Sequence, residues 1–282
     1  MKAPAFAYVR ARSLAEVLDL LQKHGDRARL LAGGQSLIAT LNMRLSAPEL
    51  LIDISRLREL SGIKVGNGRV RIGALTTHAE IERSAEIAKH LPLLAQAAPH
   101  IAHAAIRNVG TFGGSLALAD PAAEWPACCV ALDARFTLAG KRGTRQVRAR
   151  EFFKGLYSTA LRPAEVLTQV DIPIPGPGYR SAFVELARRR GDYAIVGLAA
   201  LAKNARGALS DVRLAFFGVG AAPVLAKSAM AAIDGKPASS GAAAAKALDK
   251  DLDPGPDLYS SAATKMQLAR VLTGRALAAL AA

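Results

Sequence analysis

The amino-acid sequence predicts an α+β protein organised in roughly two domains. Its 282 residues exceed the roughly 150 of an average domain, although one large domain of this length is also compatible with the count. Strand-like apolar runs and helix-like spacings alternate before residue 173, where 173-PIPGPG-178 places three prolines and two glycines in six residues. Such a segment sustains neither a helix nor a β-ladder, so we predict domains at 1–176 and 177–282.

The composition is typical of a globular protein with a strong positive charge. Hydrophobic residues make up 51% and charged residues 21%, which excludes disordered and fibrous classes. The net charge of +14 attracts anions but leaves nucleic acid, an acidic partner and a phosphate-bearing cofactor open. The densest basic run, 141-KRGTRQVRAR-150, contains no aromatic residue for base stacking. A solvated basic face is therefore favoured over nucleic-acid binding.

Cysteine and histidine patterns predict no metal site in this chain. Cys128 and Cys129 are adjacent, so they offer neither a disulfide framework nor the spacing of an iron–sulfur cluster. They resemble small core residues. His100 and His103 lie three residues apart without a neighbouring carboxylate or cysteine. The N-terminus lacks an apolar signal core and no 18-residue uncharged apolar run occurs, so we predict a cytoplasmic protein without a transmembrane segment.

The first elements carry clear boundary signals. Ser13 and Glu16 have the spacing of a capping box and Gly25 can end a helix, which predicts a helix over 14–24. An apolar strand at 28–32 then leads through two glycines into a helix over 36–45, with Ser36 as its cap.

The remaining elements follow from periodicity and helix breakers. Prolines divide residues 78–107 into two or three short helices, and the chain is helical from about Lys227. Three segments of the second domain, 182–189, 194–204 and 211–220, combine strand signals with one helix. Further strands are predicted at 50–54, 69–76, 130–140 and 166–175.

Two glycine pairs are the main functional signal. They lie in 32-AGGQS-36, directly after a strand, and in 111-TFGGS-115. Turns without side chains let consecutive N–H groups converge on a phosphate, and the hydroxyls and amide beside the glycines add donors. Ordinary turns and helix caps are the alternatives. Glu124 is either a surface residue or an acceptor for ribose or ribityl hydroxyls, and Tyr193 either stacks on a planar ring or packs in the core.

Four stretches resemble the FAD-binding medium subunit of molybdenum hydroxylases, the family of carbon monoxide dehydrogenase medium chains and the xanthine dehydrogenase flavin domain. They are 32–54, 72–82, 106–127 and 191–194. The resemblance runs in register over essentially the whole chain. It implies a two-subdomain FAD-binding domain of the PCMH/VAO type, followed by a smaller α+β C-terminal domain with an antiparallel sheet and helices.

The resemblance also implies a set of FAD-binding residues. Those matching the family's pyrophosphate segments are Ala32, Gly33, Gly34, Gln35, Ser36, Thr111, Phe112, Gly113, Gly114 and Ser115. Glu124 matches an acidic group near the sugar-like portion, Leu167 a residue at the adenine end, and Tyr193 an aromatic near the isoalloxazine ring. The family often has Lys within 185–187, which this chain lacks; whether Arg188 or Arg189 replaces it stays open. Phe112 and Ser115 stand where Ile or Leu and Asn or Asp are common.

The family's division of labour implies partners. A molybdopterin large subunit oxidises substrate, an iron–sulfur small subunit relays electrons, and FAD passes them to an external acceptor. The resemblance thus implies a heterotrimer, often doubled, in which some of the basic surface meets an acidic partner. The alternatives are a self-contained flavin oxidoreductase and a basic polyanion-binding protein.

Overall fold

The computed structural model describes residues 2–282. Its strands, numbered in chain order, are β1 (Ala7–Arg10), β2 (Ala28–Leu31), β3 (Leu50–Asp53), β4 (Ile63–Gly66), β5 (Arg69–Gly73), β6 (Arg135–Gly140), β7 (Gly143–Arg148), β8 (Phe153–Gly155), β9 (Ser158–Thr159), β10 (Val166–Pro173), β11 (Tyr179–Ala187), β12 (Ala194–Ala205), β13 (Ala208–Phe217), β14 (Val224–Leu225) and β15 (Lys236–Pro237). Its α-helices are α1 (Leu14–His24), α2 (Leu37–Asn42), α3 (His78–Arg83), α4 (Ala85–His90), α5 (Pro92–Ala97), α6 (Ala104–Arg107), α7 (Phe112–Leu118), α8 (Glu124–Ala131), α9 (Ala149–Phe152), α10 (Lys227–Ile233), α11 (Gly241–Ala247) and α12 (Ala262–Ala281). None of the helices within 2–282 combines the length and the apolar character needed to cross a bilayer.

Three larger sheets divide the chain into layers. The first is parallel, in the order β1-β3-β2. The second is antiparallel, in the order β4-β5-β10-β6-β7. The third is antiparallel, in the order β11-β12-β13-β14, with β15 paired to β13. The first two sheets thus form two subdomains before residue 176, and the third belongs to the C-terminal part.

Each sheet buries an apolar face. Helix α1 packs its buried residues Val17, Leu18 and Leu21 in the same core cluster as the parallel sheet. Residues of α3–α5, α7 and α8 cover the five-stranded sheet, and this core also includes Phe183 and Phe217 of the third sheet. Helices α10–α12 contribute to a further core with β12 and β13. Because one core contains residues from both sides of the 173–178 break, the C-terminal part is packed against the first.

Helix α1 has the bounds predicted from the sequence, but its N-terminal cap differs from the predicted capping box. The Ser13 hydroxyl accepts a hydrogen bond from the Glu16 N–H at 3.2 Å. The Glu16 carboxylate accepts instead from the N–H of Arg12 at 2.8 Å, so the reciprocal half of the capping box is not made. Gly25 ends the helix at φ +54°, a conformation that glycine adopts readily.

Four element predictions need correction. The helix predicted over 36–45 is limited to α2, and the Ser36 side chain makes no capping bond. The first residues of the strand predicted at 130–140 end α8, because the apolar run before β6 is a fully buried helix. Four α-helices occupy 78–107 rather than two or three. The three segments predicted between 182 and 220 contain strands β11, β12 and β13 and no helix, since the three strands pair antiparallel with one another.

Candidate functional site

A central cleft of about 570 Å³ opens where the three sheets meet. Its volume is within the range of about 300–1,000 Å³ typical of small-molecule sites. Twelve of the thirteen predicted site residues line it, and Phe112 is the exception. These twelve are Ala32, Gly33, Gly34, Gln35, Ser36, Thr111, Gly113, Gly114, Ser115, Glu124, Leu167 and Tyr193.

The first glycine turn presents unpaired backbone donors. It connects the end of β2 to α2, and Gly34 takes φ +70° at the bend. Within residues 2–282, no acceptor is found for the N–H groups of 33–36. Buried or ligand-facing N–H groups need acceptors, so this turn is suited to an anionic group such as a phosphate.

The second glycine turn uses most of its backbone donors internally. The N–H groups of Phe112 and Gly113 donate to the carbonyls of Thr76 and Ala74, at 2.9 and 2.8 Å. The Gly114 N–H donates to the Thr111 hydroxyl at 3.1 Å, which caps α7. The Ser115 N–H donates to the Thr111 carbonyl at 3.1 Å. This turn therefore contributes side-chain groups and shape to the cleft more than converging N–H donors.

The two turns are held together by contacts that only glycine permits. A Cβ on Gly33 would overlap the carbonyl oxygen of Val109 and lie 2.8 Å from the Gly110 Cα. A Cβ on Gly113 would lie 2.7 Å from the Cα of Ala74. Real Cβ atoms do not approach backbone so closely. The close packing explains why each turn needs glycine and why both turns border one cleft.

Phe112 belongs to the core below the cleft and is fully buried. Its ring meets Trp125 edge to face, with centroids 5.3 Å apart. The Trp125 indole N–H donates to His78 Nδ1 at 3.0 Å, so the His78 proton is on Nε2. Burial, together with the Arg107 charge, lowers the pKa of His78 to about 4 and keeps the ring neutral. His78 lines the cleft although no spacing in the sequence indicates it.

A buried acidic pair lies near the other side of the cleft. Glu124 begins α8 and is buried, and burial followed by the Asp120 charge raises its pKa to about 7. Glu185, in the stretch where the family often has Lys, is only 3% exposed at its side chain. Burial followed by the Glu124 charge raises the pKa of Glu185 to about 8, and its Oε2 has no partner within 2–282. The protonated acid is favoured at both positions at acidic pH and at Glu185 also at neutral pH, where Glu124 is about half protonated.

Exposed side chains form the rim of the cleft. Tyr193 is 68% exposed, which excludes the alternative that its ring packs in the core. Tyr157 lies at the same rim and donates to Asp120 at 3.3 Å. Arg188 pairs with Asp192 at 3.2 Å and stacks over the Tyr259 ring, and neither Arg188 nor Arg189 lines the cleft.

Leu167 lies at a different part of the cleft, on β10. It is buried, and its cross-strand partner is Leu138 of β6. Glu165 also lines the cleft and is held by Arg145, with N–O distances of 2.7 and 2.8 Å. Cleft lining therefore extends from the polar rim near Tyr193 to an apolar end near Leu167.

Comparison with models of known protein families shows the family to which this chain belongs. The model of the FAD binding domain in molybdopterin dehydrogenase matches residues 4–175, and the CO dehydrogenase flavoprotein C-terminal domain matches 181–280. The chain belongs to the family of FAD-binding subunits of molybdenum hydroxylases. This confirms the predicted family, its two-part α+β fold and FAD as its cofactor.

Full-length relatives support the same family membership. The 6-hydroxypseudooxynicotine dehydrogenase complex subunit alpha of Paenarthrobacter nicotinovorans is 41% identical over 281 residues, covering 99% of this chain and 95% of the relative. The carbon monoxide dehydrogenase medium chain of Hydrogenophaga pseudoflava is 36% identical over 279 residues, covering 98% and 97%. These relatives are dehydrogenase subunits, so the FAD subunit described here is an oxidoreductase component.

Solved structures share the complete fold. Carbon monoxide dehydrogenase from Hydrogenophaga pseudoflava, in a form lacking the Mo-pyranopterin moiety, superposes with a TM-score of 0.96 at 38% identity, covering 99% of this chain and 98% of that one. Quinoline 2-oxidoreductase from Pseudomonas putida 86 gives a TM-score of 0.94 at 39% identity, covering 100% and 98%.

Proposed function

We propose that this FAD subunit accepts electrons from an iron–sulfur small subunit and passes them to an external acceptor, within a heterotrimer that also contains a molybdopterin large subunit. The observation that carries the proposal is the cleft, where free N–H groups of the first turn face space bounded by the second turn. We also propose that the functional units divide at 1–176 and 177–282, and that the protein is cytoplasmic.

The proposed site assigns a task to each part of the cleft. The N–H groups of 33–36 would hold the FAD pyrophosphate, because they are unpaired and converge next to the second turn. Glu124 would face the sugar-like portion, Leu167 the adenine, and Tyr193 the isoalloxazine ring. Bound FAD would supply the redox chemistry that converts between one-electron and two-electron transfer. The chain would hold the cofactor in position and set the charges and dipoles around it.

The chain's own acids and aromatics shape the redox end. Glu124 can donate one hydrogen bond when it is protonated and only accept when it is ionised, and its raised pKa of about 7 makes both forms available near neutral pH. Neutral His78 beneath the second turn adds no charge there. The Tyr193 ring at the rim can exclude water from one side of a planar ring.

Native purification of the tagged chain from its source cell tests this function. We expect a yellow preparation with one FAD per chain by extraction and chromatography, together with molybdenum and iron in bound partner subunits. The isolated, FAD-loaded chain should fail to oxidise organic donors on its own, because in the proposed complex the substrate is oxidised at the molybdopterin subunit. FAD reduction by such donors in the absence of partners would favour a self-contained oxidoreductase instead.

A further inference from the structure

The outer face of the five-stranded sheet carries a row of charged residues in cross-strand register, four cations and one carboxylate. Lys64 of β4 is opposite Arg71 of β5, and Arg71 is opposite Asp171 of β10. Asp171 is opposite Arg135 of β6, and Arg135 is opposite Arg148 of β7. Side chains that are directly opposite point to the same side of a sheet, so this row crosses all five strands on one face.

The other face of this sheet is the one that the chain itself covers. Alternate residues, such as Val70, Ile72, Phe136 and Val170, are fully buried in the core beneath α3–α8. On the charged face, Lys64, Arg71 and Arg148 are exposed, and Arg135 is half-buried. Antiparallel sheets often leave one face solvated, but polar uncharged residues suffice for that. The concentration of cations therefore needs a further reason.

The row is electrostatically unfavourable in the isolated chain. Arg71 pairs with Asp171 at 3.2 Å, and Gln169 donates to the same carboxylate at 2.7 Å. Lys64, Arg135 and Arg148 form no ion pair within residues 2–282. Arg135 and Arg148 are directly opposite, an arrangement that destabilises an antiparallel pair.

One more cation lies on the same face. Arg69 is two residues from Arg71 along β5, and its buried Nη1 has no hydrogen-bond partner within the described chain. We call the surface formed by Lys64, Arg69, Arg71, Arg135, Arg148 and Asp171 the cationic sheet face. The exposed charges of Lys64 and Arg148, which are unpaired within residues 2–282, are the groups of this face that carboxylates of another protein can reach.

We propose that the cationic sheet face docks an acidic surface of a partner subunit in the enzyme complex. This inference rests on the proposed function, because it assumes that such subunits exist. Five strands about 4.8 Å apart and a few residues long give roughly 400 Å², about half of what each partner buries in a standard interface. The partner contact must therefore extend past the strands, and the charged row would set its register and association rate.

A protein partner fits this face better than a nucleic acid. The centre of the row is Asp171, which is buried and paired with Arg71, so the face does not present the unbroken line of cations that a phosphate backbone would follow. The row contains no aromatic residue that could stack on bases. An acidic protein surface can instead place separate carboxylates over the outer cations and leave the centre, where Arg71 already pairs with Asp171, without a further charge.

Charge reversal at the two ends of the row tests the proposal. Lys64→Glu combined with Arg148→Glu changes two exposed residues that have no ion pair in residues 2–282. The matched control, Lys89→Glu with Lys246→Glu, makes the same change in net charge at exposed helical positions elsewhere. Each tagged variant is purified from the source cell, and FAD, iron and molybdenum are measured per chain.

We expect the row variant to keep its FAD and its melting temperature but to lose partner-borne iron and molybdenum by about tenfold or more. The control should retain both metals, and raising salt to about 0.5 M should release partners from the wild-type chain. Wild-type metal content in the row variant would overturn the docking proposal while leaving the proposed function intact.

Two further outcomes would also count against it. A wild-type chain that purifies with FAD but without iron or molybdenum would overturn the proposed complex itself. Binding of a DNA duplex by the wild-type chain at physiological salt, lost only in the row variant, would assign the face to polyanions instead.

Discussion

Glycines 33 and 114 border the same cleft but are constrained differently. A Cβ on Gly33 would overlap backbone of the second turn, whereas a Cβ on Gly114 would meet only the Thr111 hydroxyl, at 2.7 Å. A backbone clash cannot be relieved by a rotamer change, while a hydroxyl can rotate away. Substitution at Gly33 is therefore expected to damage the fold as well as the site.

Gly114→Leu should separate cofactor binding from stability. The leucine side chain enters the cleft. Replacing a glycine within α7 gains about 1 kcal/mol of helix propensity, which offsets the disturbed Thr111 cap. We expect FAD content to fall at least about tenfold with little change in the free energy of unfolding, whereas Gly33→Ala should lose roughly 1–3 kcal/mol. Urea unfolding and FAD content measure both effects, with Gly66→Ala, which has open space, as the control. Full FAD retention in Gly114→Leu would exclude this side of the cleft from the site.

Glu185 should make stability fall with rising pH. Its pKa of about 8 and that of Glu124, about 7, lie above the ordinary 4.5, so the folded chain holds these protons more tightly than the unfolded chain. The stabilisation is complete below about pH 4.5 and is lost as pH rises through about 7 to 8. Glu185→Gln stays neutral, so it should gain about 1–3 kcal/mol relative to wild type between about pH 5 and pH 9. Urea titrations at both pH values measure the difference.

A matched substitution at an exposed glutamate, Glu151→Gln, should leave the pH dependence of the wild type unchanged. A Glu185→Gln variant that shows the wild-type slope would mean that Glu185 is ionised at neutral pH. His78 has the opposite sign: its lowered pKa withdraws stability as pH falls from about 6.5 to about 4. The two effects overlap between about pH 4.5 and pH 6.5, so the comparison above about pH 6.5 isolates the carboxyl pair.

Elements with local signals were predicted well, including the strands at 50–54, 69–76 and 166–175, whereas an element's type was missed where only long-range pairing decides it. Helix α1 is specified by its cap and its apolar stripe, and the structure reproduces 14–24. The run 194–204 is apolar at most positions, so period alone cannot distinguish a helix from a strand that is buried on both faces. Its pairing with β11 and β13 decides for a strand. Likewise, the glycine turns identify the cleft, but the burial of Glu185 near Glu124 follows only from the pairing of the third sheet.

The loop between β11 and β12 brings the C-terminal domain to the cleft. Gly191 has φ +81°, and a Cβ there would lie 2.8 Å from the Ala102 carbonyl carbon. This contact holds Asp192 and Tyr193 against the first domain, where both line the cleft. Because the contact is with backbone, any side chain at residue 191 must displace the loop.

Gly191→Ala should therefore weaken FAD binding from outside the phosphate turns. The substitution should lift the β11–β12 loop, here called the Tyr193 loop, from the rim of the cleft. We therefore expect the FAD dissociation rate to rise about tenfold and iodide to quench the flavin fluorescence more strongly, because the flavin becomes more accessible to solvent. Gly207→Ala is the matched control: it has φ +85° in the β12–β13 turn with nothing within 4 Å, so it carries the same backbone strain without the contact. Equal dissociation rates in the two variants would show that the loop does not cover the cofactor.

The parts of the chain before and after residue 176 are connected to each other through a shared core and a shared cleft. The core beneath the five-stranded sheet includes Phe183 and Phe217, whose rings stack with centroids 5.7 Å apart. The cleft draws residues from β2, α7, α8, β10 and the β11–β12 loop. A ligand that contacts all of these elements binds only when they are assembled, so its binding energy adds to the cooperativity of folding.

Removal of FAD should therefore destabilise the entire chain rather than one domain. At a free FAD concentration about 100 times the dissociation constant, binding contributes about 2.7 kcal/mol. For a chain of this size, that corresponds to a fall in Tm of roughly 5–10 °C on stripping. Calorimetry should show a single transition in both forms, because the shared core couples the two parts. If stripping lowered the Tm of only one of two resolved transitions, the cofactor would be held by one domain alone, and the Tyr193 loop would have no share in binding it.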